Sequence, residues 1–182
     1  MIRRLLPSDF DDILTVVNDA ARAYKGVIPT DCWKEPYMPA DEVRQEVEDG
    51  VEFYGWTEDS ILVGLMGIQQ VRDVTLIRHA YVLTSRQREG IGEKLLSHLL
   101  SLARTYDVLV GTWETAWWAV RFYEKHGFRL VSKEEKNRLL REYWNIPARQ
   151  VETSVVLKLH KSFPFTAASK QMATPFKNRN AN

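Results

Sequence analysis

The chain has 182 residues and a mass of 21.2 kDa, room for one domain with a core that needs no staples. Hydrophobic residues at 45% and charged residues at 27% exclude wholesale disorder, and a single cysteine, Cys32, excludes a disulfide framework or a cysteine-rich zinc site. The net charge of +1 divides unevenly: residues 161–182 carry Lys161, Lys170, Lys177 and Arg179 with no acid, while residues 1–160 hold 21 basic and 24 acidic side chains. A mildly acidic body argues against nucleic acid as a partner. The longest unbroken apolar run, Ile61 to Ile68, is far shorter than the ~20 residues a bilayer requires, so no membrane partner is expected. Asp9 interrupts the N-terminal stretch before a secretion-type apolar segment forms, and a cytoplasmic protein is the expectation.

Residues 2–6 read as a short strand. Ser8 then offers a helix cap with Asp11 as its capping-box partner, and Phe10, Ile13, Leu14, Val17, Ala20, Ala21 and Tyr24 follow at helical spacing as far as Gly26. Three prolines make residues 26–39 a loop, which holds Trp33 and Tyr37. A short charged helix over Asp41–Glu48 precedes a meander of three strands: Val51–Trp56, Ile61–Val71 and Val74–Leu83. Gly64 and Gly67 in the middle strand point to a bulge or a close backbone approach. Gly90–Tyr106 has one apolar face and reads as a helix. A strand over Val108–Trp113 follows, then a helix over Ala116–His126 stopped by Gly127, a strand over Phe128–Val131, a charged turn or helix over Lys133–Glu142, and a last strand over Ser154–His160. The expected fold is α/β, a three-layer sandwich around one mixed sheet, with residues 1–160 as the domain and 161–182 as a basic, flexible tail. An exposed edge at Ser154–His160 would make a homodimer plausible.

The informative stretch is Tyr81-Val82-Leu83-Thr84-Ser85-Arg86-Gln87-Arg88-Glu89-Gly90-Ile91-Gly92-Glu93-Lys94. A strand runs into a polar loop with two glycines, and the loop opens a helix. Helix starts leave N–H groups unpaired and carry the positive end of the dipole, so this is a built-in anion site, with Arg86 and Arg88 adding charge. A Walker loop is excluded because Gly-Lys-Ser/Thr is absent. A dinucleotide fold is excluded because the loop has two glycines and follows a late strand.

The segment Gln87-Arg88-Glu89-Gly90-Ile91-Gly92 resembles the acetyl-CoA loop of the GNAT superfamily of N-acetyltransferases, Gln/Arg-x-x-Gly-x-Gly/Ala, and Tyr81-Val82 resembles the strand that leads into it. Ala119-Val120-Arg121-Phe122-Tyr123-Glu124-Lys125-His126-Gly127-Phe128 resembles the family's second block. Two departures stand out: Thr84 where a proline is common, and Ala116 where many members carry a cofactor-contacting Asn. The resemblance implies a GNAT fold with a mixed, mostly antiparallel central sheet flanked by helices. It implies acetyl-CoA as co-substrate, no metal, and transfer to a primary amine of a small molecule or peptide.

By that resemblance the main chain of Val82 and Leu83 would hold the pantetheine arm, and amides from Arg88 to Gly92 the pyrophosphate. Arg86 and Arg88 could reach the phosphates, and Thr84, Gln87, Glu89, Ile91 and Glu93 complete the cofactor loop. The amide of Val82 would stabilise the oxyanion and Tyr123 would protonate the leaving thiolate. His79, two residues before Tyr81 and so on the same strand face, is the candidate base, with bulk water as the alternative. Tyr24, Trp33 and Tyr81 are the expected acceptor-binding residues. Core packing accounts for Trp113, Trp117 and Trp118; Trp144 divides evenly between core and pocket. Two rival readings are a catalytically weak acyl-CoA-binding or partner-binding module, which Ala116 favours, and an RNA-associated enzyme, for which four tail charges are few.

Overall fold

The computed structural model describes residues 1–162 of the chain. Seven strands form one sheet: β1 (Ile2–Arg4), β2 (Glu52–Glu58), β3 (Ile61–Val71), β4 (Val74–Val82), β5 (Asp107–Trp113), β6 (Arg129–Leu130) and β7 (Ser154–His160). Their spatial order is β1-β2-β3-β4-β5-β7-β6, and only the β4–β5 pair is parallel. The helices are α1 (Phe10–Ala20), α2 (Ala40–Glu48), α3 (Ile91–Leu102), α4 (Trp117–Lys125), α5 (Lys133–Tyr143) and α6 (Ala148–Thr153). This is the expected three-layer α/β sandwich around one mixed, mostly antiparallel sheet. One face of the sheet carries α3 and α4, where Leu95, Leu96 and Leu99 pack on Met66, Ile77 and Val110. The other carries α1 and α2 over Phe53 and Leu65, and α5 and α6 over Leu76 and Leu109. Each fully buried leucine of α3 contributes about 1.5–3 kcal/mol over leaving it in water.

The meander forms where alternation and turn residues place it. Asp59 and Ser60 turn the β2–β3 hairpin with φ of 47° and 68°, and Arg72 (φ 52°) helps turn the next. Several local expectations need correction. Ser8 does not cap α1. Residues 7–9 form a 3-10 turn instead, and the Asp9 carboxylate closes it by accepting the Leu6 N–H at 2.7 Å. The helix over Gly90–Tyr106 stops at Leu102, because Ala103 is extended and Thr105 turns the chain back through its hydroxyl to the Asp107 carbonyl. Lys133–Tyr143 is a true helix, capped by the Ser132 hydroxyl on the Glu135 N–H. The α6 turn was not foreseen in the sequence; Pro147 starts it. β7 lies between β5 and β6, and the two-residue β6 pairs with it at Leu157 and Lys158, so the expected exposed edge is covered there. The basic tail lies outside the described residues except at its root, where the Lys161 ammonium donates to the carbonyls of Leu100 and Ala103, both at 2.7 Å.

Asp9 also takes both guanidinium nitrogens of Arg3, at 2.8 and 2.7 Å. That fork and the Leu6 amide hold its carboxyl down at about 2. A carboxyl lowered on folding contributes stability above its unfolded value of 3.8 and loses it as pH falls through its folded one. Arg3 is 39% exposed, so screening reduces the contribution to about 1 kcal/mol. Asp9→Asn is therefore expected to cost about 1 kcal/mol at pH 7 by urea unfolding, with the difference shrinking below pH 4 and largely gone near pH 2. A difference independent of pH would assign the effect to packing.

Candidate active site

Pairing between β4 and β5 runs from Val74–Asp107 to Ile77–Val110 and then ends. The cause lies in β4. Against β3, Leu65 pairs with Tyr81 and Gly67 with Arg78, so three steps on β4 match two on β3. The extra residue is a bulge, and His79 occupies it with φ +53°. Gly67 permits the approach opposite: a Cβ there would lie 2.8 Å from Val51 and 3.1 Å from the Arg78 carbonyl. Beyond the bulge β4 leaves β5, and a cavity of about 1130 Å³ opens through the split from one face of the sheet to the other.

The anion end lies on the α3–α4 side. Gly90 caps α3 with φ +78° and open space at its Cβ position, and Arg88 has φ +67°. The first bond into the helix is from Lys94 N–H to the Gly90 carbonyl. The preceding amides, Ile91 to Glu93, are those a helix leaves unpaired. The Phe122 ring of α4 lies over Gly92, where an added Cβ would meet it at 3.6 Å. Arg86 and Arg88 both border the cavity. The Arg86 guanidinium is tied to Glu89 at 2.8 Å and Glu58 at 2.6 Å, so it braces the loop. Glu89 is consumed by the same pair, and Glu93 sits 4.0 Å from the His126 ring. Gln87 reaches back to the Val82 carbonyl at 3.3 Å, and Thr84 is held by the Asp19 carboxylate through its N–H at 2.7 Å and its hydroxyl at 2.9 Å.

In the centre, Leu83 donates to the Val63 carbonyl and accepts from the Arg86 N–H. Its N–H is thus taken by the fold, which leaves only the second lone pair of its carbonyl for the expected role toward the pantetheine arm. Alternation turns the Val82 N–H the other way, into the split. Tyr123 is only 4% exposed, packs edge-on against Phe122 and Phe128, and borders the cavity. Burial, with the Tyr24 phenol nearby, raises its hydroxyl above the ordinary range and keeps the proton on it.

The far end is aromatic. Tyr24 stacks on Trp118 at 5.8 Å and meets Tyr37 at 5.6 Å, and the Trp113 indole N–H donates to the Tyr37 hydroxyl at 2.8 Å. Tyr24 and Tyr81 line the cavity as expected. Trp33 does not: it lies behind Tyr37, ring centroids 5.5 Å apart. Trp113, Trp117, Trp118 and Trp144 all border the cavity; Trp113 is buried in the core with Trp118 packed against its cluster, whereas Trp117 is 62% exposed and core packing does not explain it. Ala116 is fully buried beside Ile28 and Trp113 and is not on the cavity wall. His79 borders the cavity with its ring between Phe53 and Tyr81, and its Nε2 is 3.2 Å from Oε2 of Glu46 on α2. Glu46 was not singled out in the sequence; it lies 33 positions from His79 on a charged helix that reads as solvated surface. Among the described residues no group of histidine, cysteine and carboxylate side chains could hold a metal, and no helix is long and apolar enough to cross a membrane.

A split sheet beside an open helix start defines an α/β sandwich with a cavity running from the helix start through the sheet. The pattern of the acetyltransferase (GNAT) domain matches residues 18–141. The chain belongs to the GNAT acetyltransferase family. Similar folds include PaiA N-acetyltransferase from Thermoplasma acidophilum in complex with coenzyme A, 16% identical with a TM-score of 0.68 over 88% of this chain and 98% of that one. N-acetylglutamate synthase from Neisseria gonorrhoeae, complexed with coenzyme A and N-acetyl-glutamate, is 17% identical with a TM-score of 0.62, over 88% of this chain and 34% of that one. The ribosomal-protein-S18-alanine N-acetyltransferase from Escherichia coli is 15% identical with a TM-score of 0.62, over 92% and 97%. No curated protein matches the sequence.

Proposed function

We propose that this chain is an N-acetyltransferase that moves the acetyl group of acetyl-CoA to a primary amine of a small molecule or peptide. The observation that carries the reading is the split between β4 and β5, with the Val82 amide on one side, the Tyr123 phenol bordering the same cavity, and the α3 start at one end. Pyrophosphate would lie on the amides of Arg88 to Gly92, with Arg88 adding charge. The thioester would then sit in the split.

The neutral amine attacks the carbonyl carbon. The oxyanion is met by the Val82 N–H. As the C–S bond breaks, Tyr123 gives its proton to sulfur and recovers one from the amide nitrogen being formed, so the phenol ends as it began. His79 is the base that neutralises the incoming ammonium, and Tyr24 and Tyr81 are acceptor-binding walls. The coenzyme A in related structures is consistent with this co-substrate.

Calorimetric titration of the purified protein with acetyl-CoA, with desulfo-CoA and ATP as controls, tests the reading. Binding of both CoA ligands and not ATP is expected. Absence of CoA binding would overturn the transferase reading and leave a partner-binding module on the same fold.

A further inference from the structure

We propose that Glu46 is a positioning residue for His79, and that the pair is a carboxylate–imidazole dyad whose Nδ1 takes the proton of the acceptor ammonium. The inference rests on reading the cavity as an N-acetyltransferase site. Glu46 Oε2 and His79 Nε2 are both sealed from solvent, and neither has a hydrogen-bond partner among the described residues. They lie 3.2 Å apart. Two sealed polar atoms without partners are each destabilising. Facing each other, they need only a small ring rotation about a broad torsion to align. Nδ1 has no partner either, yet it is not sealed, and His79 is on the cavity wall. The nitrogen that faces Glu46 is therefore Nε2, and the nitrogen left for a ligand is Nδ1.

The surroundings give this arrangement a direction. From β4, Arg78 donates to Glu46 Oε1 at 2.8 Å and to Gln69 at 3.1 Å, so the carboxylate is held from its other side. Asp49, at the end of α2, acts on Arg78; Tyr81 stacks on the His79 ring at 6.4 Å; β2 contributes only the apolar Phe53. Burial alone would push the Glu46 carboxyl up, but His79 and Arg78 outweigh it and hold it below the ordinary range, so it is ionised. An ionised carboxylate accepts and cannot donate, which fixes the neutral ring as the Nε2–H tautomer with its lone pair on Nδ1. The backbone agrees: a non-glycine residue at φ +53° is uncommon, and here the strained position re-aims one imidazole.

The step balances without a co-reactant. The ammonium N–H bond breaks and the Nδ1–H bond forms. The ring becomes an imidazolium with Nε2–H donating to Glu46, and it later releases the proton to water. The amine keeps its electron pair for the attack.

The test is the tautomer of His79, read from long-range nitrogen–proton NMR spectra of nitrogen-15-labelled protein. His79→Gln assigns the ring among the four histidines. The neutral ring is expected as Nε2–H. Glu46→Gln keeps the volume and supplies an amide that can donate to Nε2, so Nδ1–H is expected to appear; Glu46→Asp, which keeps the carboxylate, should retain Nε2–H. A wild-type ring already Nδ1–H, or one unchanged by Glu46→Gln, would overturn the dyad. Acetyl-CoA titration of the same samples separates the two readings: intact binding with the wrong tautomer removes the dyad alone, and no binding removes the transferase site beneath it. In thiol-release assays with the wild type's best amine from a panel of alkyl and peptide amines, Glu46→Gln should turn over about 10-fold more slowly. Equal turnover would overturn the positioning role.

Discussion

Gly90→Val should leave a folded protein that no longer binds acetyl-CoA at concentrations 100-fold above the wild-type Kd. Gly90 has φ +78°, where a β-branched residue costs roughly 1–2 kcal/mol and pulls the loop toward other backbone angles. Among the described residues nothing lies within 4 Å of the position a Cβ would take, so the substitution meets no clash in the core and the sheet is untouched. What changes is the loop leading into α3. The valine branches stand on the side from which an anion must approach the amides, and each charge-assisted bond lost there is worth about 1.5–3 kcal/mol. Two such losses exceed the ~2.7 kcal/mol that a 100-fold change represents. Gly90→Ala separates the contributions: it keeps most of the backbone strain and removes the branching, so intermediate affinity is expected. Circular dichroism and the unfolding midpoint confirm the fold. Wild-type affinity in folded Gly90→Val would place the phosphates elsewhere.

The loop could be read from the sequence because its chemistry is local. Glycine spacing, the strand before it and the apolar face of the helix after it all lie within residues 81–102, and local order sets the amides. The meander could be read for the same reason: alternation is a period-two property and turn residues mark its ends. What escaped was whatever depends on a partner distant in sequence. Arg86 looks free for a phosphate because Glu58, its shortest contact at 2.6 Å, is 28 positions away on the β2 hairpin. Trp33 looked like a pocket wall because the loop that carries it is close to the cavity, but Tyr37 takes the front position. β7 looked like an edge because the two-residue strand that covers it carries almost no pattern.

The bulge is the most instructive case. The regular pleat puts His79 and Tyr81 on one face, and both do border the cavity. The reason is different: the strand breaks its alternation at His79, and three steps of β4 match two of β3. Gly67 signalled a close approach, but nothing in the sequence says which strand takes the extra residue. That single irregularity ends the β4–β5 ladder after Ile77 and so opens the cavity. Most of the candidate site follows from one residue at an unfavoured backbone angle, a feature that propensity cannot reveal.

Tyr123→Phe is expected to lower kcat by about 10²-fold, within the range general acids contribute, while acetyl-CoA affinity stays within about 2-fold. The separation follows from where the hydroxyl lies. The ring is part of the core against Phe122 and Phe128, and phenylalanine keeps that packing. The hydroxyl has no hydrogen-bond partner among the described residues, so its removal strands no buried group and the fold should hold. Ground-state binding rests on the amides of the α3 start, which the substitution does not touch. Only the step in which sulfur leaves loses its proton source, so kcat and kcat/KM for the amine should fall together. The buried phenol keeps its proton well above the ordinary tyrosine range, so the basic limb of the wild-type profile should not bend near pH 10 on its account. Fluorotyrosine at this position sharpens the test, because a more acidic phenol of nearly the same shape should alter the rate while leaving affinity unchanged. Equal turnover by Tyr123→Phe would remove Tyr123 as the acid and leave it a core aromatic, with sulfur protonated from water.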